Sequence, residues 1–352
     1  MAITLRWFGG AESYGDYGGL ADPAFAPGST ITSGSQITAH TGTGCWRSDS
    51  GFGQVNIAAT YRFRVGLWML TSTNGSAKAV VLEWRQADGT HIGWVGNSAT
   101  PGTLGAYVGN HAASVSATGT SALTLNAWQH IGIDVFVDAT NGWIRVYQDG
   151  TKIIDFSGNT GSAQVAQIIL SNCGSGVTWA WQTAFDDMAI EDTTGEGTGA
   201  VAPPDRRVYP IYPNAAGGTY AEGHTKGGGA SAYTAVDEGR QANDDTDYNY
   251  VEALNERDTY NCSTFVPPVG GTIVAAKYFA RAQKSNASVD SQIALMARGG
   301  AVATDWEDSA QAVTASWKSY YSALQLLDPS GNAWAIAQVD SLQIGFRGKG
   351  TF

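Results

Sequence analysis

The segment from Trp128 to Phe156 constrains the fold of this chain more than any other part of the sequence. In its first stretch, apolar residues occupy every second position, at Ile131, Ile133, Val135 and Val137. Successive side chains of a β-strand point to opposite sides, so this alternation predicts a strand with one face in a core. The other face, predicted to be solvated, carries His130, Gly132, Asp134 and Phe136.

Two turn signals follow this strand. Asn141-Gly142 precedes a second strand-like stretch, Trp143–Gln148, and Asp149-Gly150 precedes a third, Lys152–Phe156. Asn-Gly and Asp-Gly favour the tight turns of β-hairpins, because these residues accept the positive φ angles that such turns need. The sequence therefore predicts a β-meander over this region.

The composition favours an all-β fold for the whole chain. Only 14% of the residues are charged and 45 of 352 are glycine, while helical periodicity is nearly absent. Further strands are predicted at Gln54–Val65, Ala79–Arg85, His91–Val95, Leu104–Val108, Val165–Ser171, Thr178–Glu191, Ser263–Val266, Thr272–Ala282, Ser291–Ala297, Trp317–Leu326 and Val339–Phe346.

Charge and hydropathy exclude several classes of protein. The net charge is −11, and without a basic stripe we expect neither nucleic-acid binding nor adhesion to anionic membranes. No apolar run approaches the roughly 20 residues that span a bilayer, and the first residues lack the pattern of a secretory leader. The three cysteines, Cys45, Cys173 and Cys262, are far apart and odd in number, so they are predicted to be buried small side chains.

The meander resembles the central hairpins of laminin-G-like and concanavalin-A-like jelly rolls, where a W-x-H and a later Y-x-D-G recur. Phe185-Asp186-Asp187-Met188-Ala189-Ile190 is similar to the closing strand of laminin-G-like domains. The resemblance implies an N-terminal jelly-roll sandwich over residues 1–192. The Gly-, Thr- and Pro-rich stretch 193–205 is predicted to be a linker, and residues 206–352 a C-terminal β-sandwich.

The C-terminal part resembles β-sandwich domains of tailed-bacteriophage virion proteins. Two stretches carry this resemblance, Asp244–Val251 and the run from Asp328-Pro329-Ser330-Gly331 through Trp334 to Phe346. It implies a non-enzymatic virion component, such as a capsid decoration, a head or tail appendage or a host-attachment protein, assembled in the host cytoplasm. The implied partners are major capsid or tail proteins, further copies of the chain, and a host-surface glycan bound weakly.

The alternative is a polysaccharide-active enzyme, a glucanase or a lyase, or a secreted lectin. Glucanases of this fold place two carboxylates on one strand face. Glu191 to Glu196 is the nearest match, but Asp192 would point to the wrong face. Glu252, Glu256 and Asp258 fit a solvated or interfacial strand better, and His130 with Asp134 fits the polar side of a strand. We therefore predict no catalytic residues and no enzyme.

Binding residues can still be nominated. An exposed Trp or Tyr ring can stack on a sugar, and the candidates for a glycan patch are Trp143, Tyr147, Trp179 and Trp181. No cofactor is predicted, although Ca²⁺ is common in folds of this kind, bound through loop carboxylates. The candidate metal ligands are Asp186, Asp187, Asp244, Asp245 and Asp247.

Overall fold

The structure, a computed structural model, is nearly all β and divides into two compact units, residues 1–209 and 210–352. Its description covers residues 4–9, 46–48, 52–71, 79–171, 183–197, 199, 201–215, 219–226, 232–236, 248–266, 270–285, 290–299 and 304–351. The all-β prediction is therefore confirmed. Within the described ranges, no helix is long and apolar enough to cross a membrane.

Among its described residues, the first unit has thirteen strands in two antiparallel sheets. They are β1 (Thr4–Gly9), β2 (Trp46–Ser48), β3 (Phe52–Thr60), β4 (Arg62–Thr71), β5 (Val80–Arg85), β6 (His91–Asn97), β7 (Thr103–Val108), β8 (Val115–Ala122), β9 (Trp128–Phe136), β10 (Gly142–Gln148), β11 (Thr151–Gly158), β12 (Val165–Ser171) and β13 (Thr183–Asp192). Sheet A has the order β1-β13-β4-β9-β10-β11, with β2 on β13, and sheet B has the order β3-β12-β5-β6-β7-β8.

The core of this unit lies between sheets A and B. The predicted inner face of β9 is confirmed, because Ile131, Ile133 and Val135 are fully buried in that core. Sheet B contributes Trp84, whose ring meets the edge of Phe63 from sheet A at a centroid distance of 5.8 Å. These contacts make the first unit a β-sandwich.

The meander is also confirmed in its turns. Strand β10 pairs with β9 and β11 on its two sides. Asp149 and Gly150, which join β10 to β11, both have positive φ, at 49° and 78°. This combination is the one expected of the tight hairpin turn that an Asp-Gly pair favours.

The predicted solvated face of β9 is wrong, because His130 and Asp134 are 6% and 1% exposed. One reason is the covering segment, defined as the described residues among 193–208, whose prolines pack against the outer side of sheet A. A Cβ atom on Gly132 would lie 2.7 Å from Pro203 Cδ, so this close approach requires glycine. The covering segment includes the stretch predicted as a linker, and it belongs to the first compact unit.

The second unit has smaller sheets around a core of its own. Its strands are β14 (Pro213–Ala215), β15 (His224–Lys226), β16 (Tyr248–Tyr250), β17 (Arg257–Cys262), β18 (Phe279–Ala282), β19 (Ser291–Gly299), β20 (Thr304–Glu307), β21 (Gln311–Ala312), β22 (Lys318–Tyr321) and β23 (Gln343–Gly350). The main sheet has the order β14-β17-β23-β19-β20 with β21 on β19, and β15-β16 and β18-β22 form two ribbons. Cys262 is buried, whereas Cys45 and Cys173 lie outside the described residues.

The residues behind the phage-like resemblance have structural roles here. Asp328 Oδ1 accepts hydrogen bonds from the amides of Ser330 and Asn332, at 2.9 and 2.8 Å, which fixes a turn. Trp334 follows and is buried in the second core. The predicted strand Val339–Phe346 is wrong in its first part, since Ile336–Asp340 forms the short helix α1 and β23 begins at Gln343.

Candidate functional site

Two residues of the predicted glycan patch, Trp143 and Tyr147, are buried on the outer side of sheet A, at 6% and 4% exposure. The Trp143 ring lies between Arg62 and Arg145, whose guanidinium carbons are 4.9 and 4.5 Å from the ring centroid. Its indole nitrogen donates to Asp134 Oδ2 at 3.1 Å. The prediction that these two rings are exposed is therefore wrong. Their binding of a glycan stays a prediction.

Asp134 lies among these same groups. Burial raises its pKa, although Arg62 and Arg145 act in the opposite direction. A carboxyl with a raised pKa can serve as a general acid when it reaches a substrate. Here it is 1% exposed and contacts Trp143 and Arg145. The arrangement therefore fits a structural network beneath the covering segment.

The predicted metal ligands in the first unit, Asp186 and Asp187, are also buried. They occupy an irregularity in β13, where Asp187 has a φ of 49°. Asp187 Oδ1 accepts a hydrogen bond from the amide of Val208 at 2.8 Å, and so anchors the end of the covering segment. The other candidates, Trp179, Trp181, Asp244, Asp245 and Asp247, lie outside the described residues, and their roles stay predictions.

The carboxylates considered for glucanase chemistry are engaged elsewhere. Glu191 is paired with Arg206 and lies 3.7 Å from Arg64 Nε. Glu256 Oε2 accepts from the amides of Glu252 and Ala253, at 2.7 and 3.0 Å, so it closes a local turn. Asp258 is buried and accepts from the Tyr260 hydroxyl at 2.6 Å, so of the two predicted settings, a solvated or an interfacial strand face, the solvated one is wrong for this residue.

A cluster that sequence reasoning missed lies on the outer side of sheet B. It consists of Glu83 on β5, His91 at the start of β6 and His111 after β7, with Arg85 beside them. Burial raises the pKa of Glu83, but hydrogen bonds from His111 and Arg85 outweigh this effect and lower the pKa to about 2. The carboxylate is therefore charged at neutral pH, although it is 1% exposed.

This lowered pKa predicts an acid-labile first unit. The unfolded chain takes up a proton at Glu83 near pH 4.5, whereas the folded chain does so only near pH 2. The stabilisation is complete above pH 4.5 and is lost as the pH falls toward 2. Urea unfolding measured at several pH values should show a smaller acid dependence for Glu83→Gln than for the wild type. An equal dependence in both proteins would contradict the prediction.

The second unit presents a surface that combines aromatic rings with cations. We call it the aromatic–cationic strip and define it by Lys277, Phe279, Arg281, Trp317 and Tyr321. In the β18–β22 ribbon Phe279 pairs with Tyr321 and Ala280 with Tyr320. Because Ala280 and Tyr320 face the second core, the alternation of side chains places Phe279, Arg281 and Tyr321 on the opposite face.

Distances within the strip show that cations and rings are neighbours. Lys277 Nζ lies 5.0 Å from the centroid of the Tyr321 ring, and Arg281 Cζ lies 5.8 Å from that of Trp317. Phe279 is 41% exposed, Trp317 is half-buried, and the rings of Phe279 and Tyr321 are 6.2 Å apart. Tyr321 is buried at 9% exposure, so the strip offers the rings of Phe279 and Trp317 together with positive charge, on a protein with a net charge of −11.

Only part of the signal for the strip was present in the sequence. Both Thr272–Ala282 and Trp317–Leu326 were predicted as strands, and alternation along them would have placed the five members on one face of each strand. Their pairing was not predictable, because 35 residues separate Arg281 from the start of Trp317–Leu326. In the structure the two strands are shorter than predicted and pair antiparallel.

Comparisons with known proteins give no family for this chain. No family model matches it, and no curated protein matches it. Similar solved structures include a sialidase, the carbohydrate-binding module CBM66 from Bacillus subtilis, and the binding domain of Paraclostridial Mosquitocidal Protein 1.

These likenesses are distant. The sequence identities are 10%, 16% and 14%, and the TM-scores are 0.34, 0.31 and 0.33, in the same order. The matches cover 44%, 42% and 48% of this chain, and 16%, 86% and 44% of the other chains. The chain thus spans only 16% of the sialidase. With similarity at this level, the three proteins carry no argument about function.

Proposed function

We propose that this protein is a non-catalytic binding protein that recognises acidic polysaccharides through the aromatic–cationic strip of its second unit. The observation that carries the proposal is the row of contacts from Lys277 and Phe279 to Tyr321, and from Arg281 to Trp317. Aromatic rings offer flat apolar faces on which the apolar face of a sugar ring can pack. Arginine and lysine bind the carboxylates that acidic sugars carry.

The charges of the strip decide which sugars fit. Two of its five members, Lys277 and Arg281, are cations, whereas the chain as a whole is strongly acidic. A neutral sugar would use only the rings, and an acidic sugar would use the rings and the cations together. The ligand expected from this chemistry is a polymer of uronic acids, because each unit then presents one pyranose face and one carboxylate.

The buried carboxylates of the first unit support a role in binding over a role in catalysis. Within the described residues, Glu83 contacts Arg85, Asp134 contacts Arg145, and Glu191 contacts Arg206. Each of the three is 2% exposed or less, so none presents a free acid to a polymer outside. The virion role implied by the sequence resemblance stays a prediction, since the residues of that motif form a turn and a core contact in the second unit.

Loss of either exposed ring should weaken binding without unfolding the protein. For Phe279→Ala and Trp317→Ala we expect the affinity for polygalacturonate to fall about 2- to 10-fold each, since one aromatic contact contributes roughly 0.5–1.5 kcal/mol. Binding should also weaken as salt is added, because salt screens exposed charges. Calorimetric titration with polygalacturonate, and with neutral dextran for comparison, measures both effects.

The matched control is Tyr61→Ala. Tyr61 is an exposed aromatic residue at 42%, but it lies in the first unit and outside the strip, so its removal should leave the affinity unchanged. Equal binding of polygalacturonate and dextran would overturn the choice of ligand. Undiminished binding by the folded double variant Phe279→Ala/Trp317→Ala would overturn the site.

A further inference from the structure

Glu83 is a buried acceptor that several donors surround. Arg85 donates to both of its carboxylate oxygens, from Nε at 2.7 Å and from Nη2 at 2.9 Å. This two-point contact holds the carboxylate in one orientation. In the β5–β6 ladder Glu83 lies opposite Trp94, which is fully buried and stacks on Tyr107 at a centroid distance of 3.6 Å. The carboxylate is therefore rigidly placed.

Two imidazole nitrogens face this carboxylate. His91 Nδ1 contacts Oε1, and His111 Nε2 lies 3.2 Å from Oε2. His91 Nδ1 is buried and, although it contacts the carboxylate, forms no hydrogen bond. The two rings meet edge to face at 4.8 Å between centroids. One ligand atom from each of Glu83, His91 and His111 can be chosen so that the three atoms lie within 4.8 Å of one another.

The fold brings His111 to this place from another part of the chain. After β7 the backbone turns back toward β6, and the Gly109 amide donates to the Ile92 carbonyl at 2.8 Å. The indole nitrogen of Trp94 donates to the Asn110 carbonyl at 3.3 Å, and the His111 ring meets the Trp94 ring edge to face at 5.6 Å. The loop is thus held immediately before His111, and the ring contact with Trp94 places the imidazole beside Glu83.

We infer that Glu83, His91 and His111 bind one Zn²⁺ ion on the outer side of sheet B. Two imidazole nitrogens and one carboxylate oxygen are ligands that Zn²⁺ takes in proteins, and three protein ligands leave a fourth position open for water or an exogenous ligand. The site lies in the first unit. It is independent of the aromatic–cationic strip and of the binding function proposed for that strip.

The neighbouring arginine determines the choice of metal. Arg85 carries a positive charge that offsets the negative charge of Glu83. The three ligands together with Arg85 therefore have no net negative charge. Ca²⁺ and Mg²⁺ depend on anionic and carbonyl oxygen ligands, so this set should bind them poorly. Imidazole nitrogens suit Zn²⁺ and its transition-metal neighbours, and they supply most of the affinity here. Arg85 acts as a positioning residue that orients the carboxylate.

The inference is tested by titrating the metal-free full chain with ZnCl₂ in a calorimeter. The wild type should bind one Zn²⁺ per chain at this site, and MgCl₂ and CaCl₂ should give no comparable heat. His91→Asn and His111→Asn should each lower the affinity by more than about 10-fold, because each removes a ligand. Asp88→Asn is the matched control: Asp88 lies in the turn between β5 and β6, outside the cluster, and this variant should bind Zn²⁺ like the wild type.

A second measurement follows the thermal stability of the protein instead of the heat of binding. Zn²⁺ that binds only the folded state should raise the melting temperature of the wild type and of Asp88→Asn, but of neither histidine variant. Circular dichroism establishes that the variants are folded before the titration. Absence of Zn²⁺ binding by the folded wild type would overturn the inference, and so would undiminished binding by both histidine variants.

Discussion

Replacing Glu191 by glutamine is expected to destabilise the first unit by about 3 kcal/mol. Glu191 is 2% exposed and lies between Arg64 and Arg206. Removing its charge takes one acidic partner from Arg64, which is itself 2% exposed and keeps its ion pair with Glu196 at 2.7 Å. A buried charge that loses one of its partners is strongly destabilising, whereas Arg206 is partly exposed and can regain water. Urea unfolding measures the loss of stability. Hydrogen exchange of the β4 and β13 amides then shows whether the loss lies in this unit.

The control for this prediction is Asp155→Asn. Asp155 also contacts an arginine, since its Oδ1 lies 3.3 Å from Arg145 Nε, but its side chain is 49% exposed. Exposed ion pairs contribute about 0–1 kcal/mol, so this variant should unfold nearly like the wild type. An equal loss of stability in Glu191→Gln and Asp155→Asn would contradict the prediction that burial makes the Glu191 ion pairs more stabilising than the Asp155 pair.

Replacing Trp334 by alanine is expected to destabilise the second unit by about 3–5 kcal/mol. Its ring is 7% exposed and packs in the second core with Tyr278, Leu295 and Leu342. Its indole nitrogen also donates to the Gln325 carbonyl at 3.1 Å, and this bond is lost as well. The expected result is faster hydrogen exchange in β19 and β23, with that of the first unit unchanged.

Trp317→Ala is the natural comparison, because it removes the same type of side chain from the aromatic–cationic strip of the same unit. Trp317 is half-buried and contacts Arg281 and Tyr248. We expect a loss of about 1 kcal/mol or less, together with the weaker polysaccharide binding predicted above. The two variants thus separate folding from binding. Comparable destabilisation by both would argue against the assignment of Trp334 to the core and Trp317 to the surface.

Much of the first sheet could be predicted because its alternation is strong. The inner face of β9 and the Asp149-Gly150 turn follow directly from residue spacing. Strand β8, Val115–Ala122, was missed because its residues are largely exposed and mostly small and polar, so they carry no apolar alternation. The predicted strand Gln54–Val65 is two strands, β3 and β4, which meet at Tyr61.

The second unit was harder to predict because its apolar signals are short. Ile336 to Phe346 contains enough aliphatic residues for a strand, and the break between α1 and β23 depends on contacts that place Val339 and Leu342 in the second core. Similarly, only the last four residues of Thr272–Ala282 form a strand. Local propensity is a weak guide where tertiary packing decides between helix and strand.

The candidate sites depend on long-range neighbours, which one sequence does not reveal. Glu83 and His91 lie close together along the chain, but His111 comes 20 residues after His91 and matches no familiar metal-ligand spacing. The burial of Trp143 and Asp134 could not be foreseen either. It depends on Arg62 and Arg145, which pack on the Trp143 ring from strands β4 and β10. The covering segment, which packs on other residues of the same sheet face, has a Gly-, Thr- and Pro-rich composition that is typical of a linker.

The covering segment has a consequence for how this gene can be recombined. A fragment that ended at Asp192 would encode every strand of sheets A and B but would omit Glu196, Asp205 and Arg206, which contact Arg64, Trp68 and Glu191. Its outer sheet face would lose the ion pairs of Arg64 with Glu196 and of Glu191 with Arg206, and Gly132 would lose its contact with Pro203. The smallest portable module therefore ends after Tyr209, and domain shuffling in evolution or in the laboratory should respect that junction.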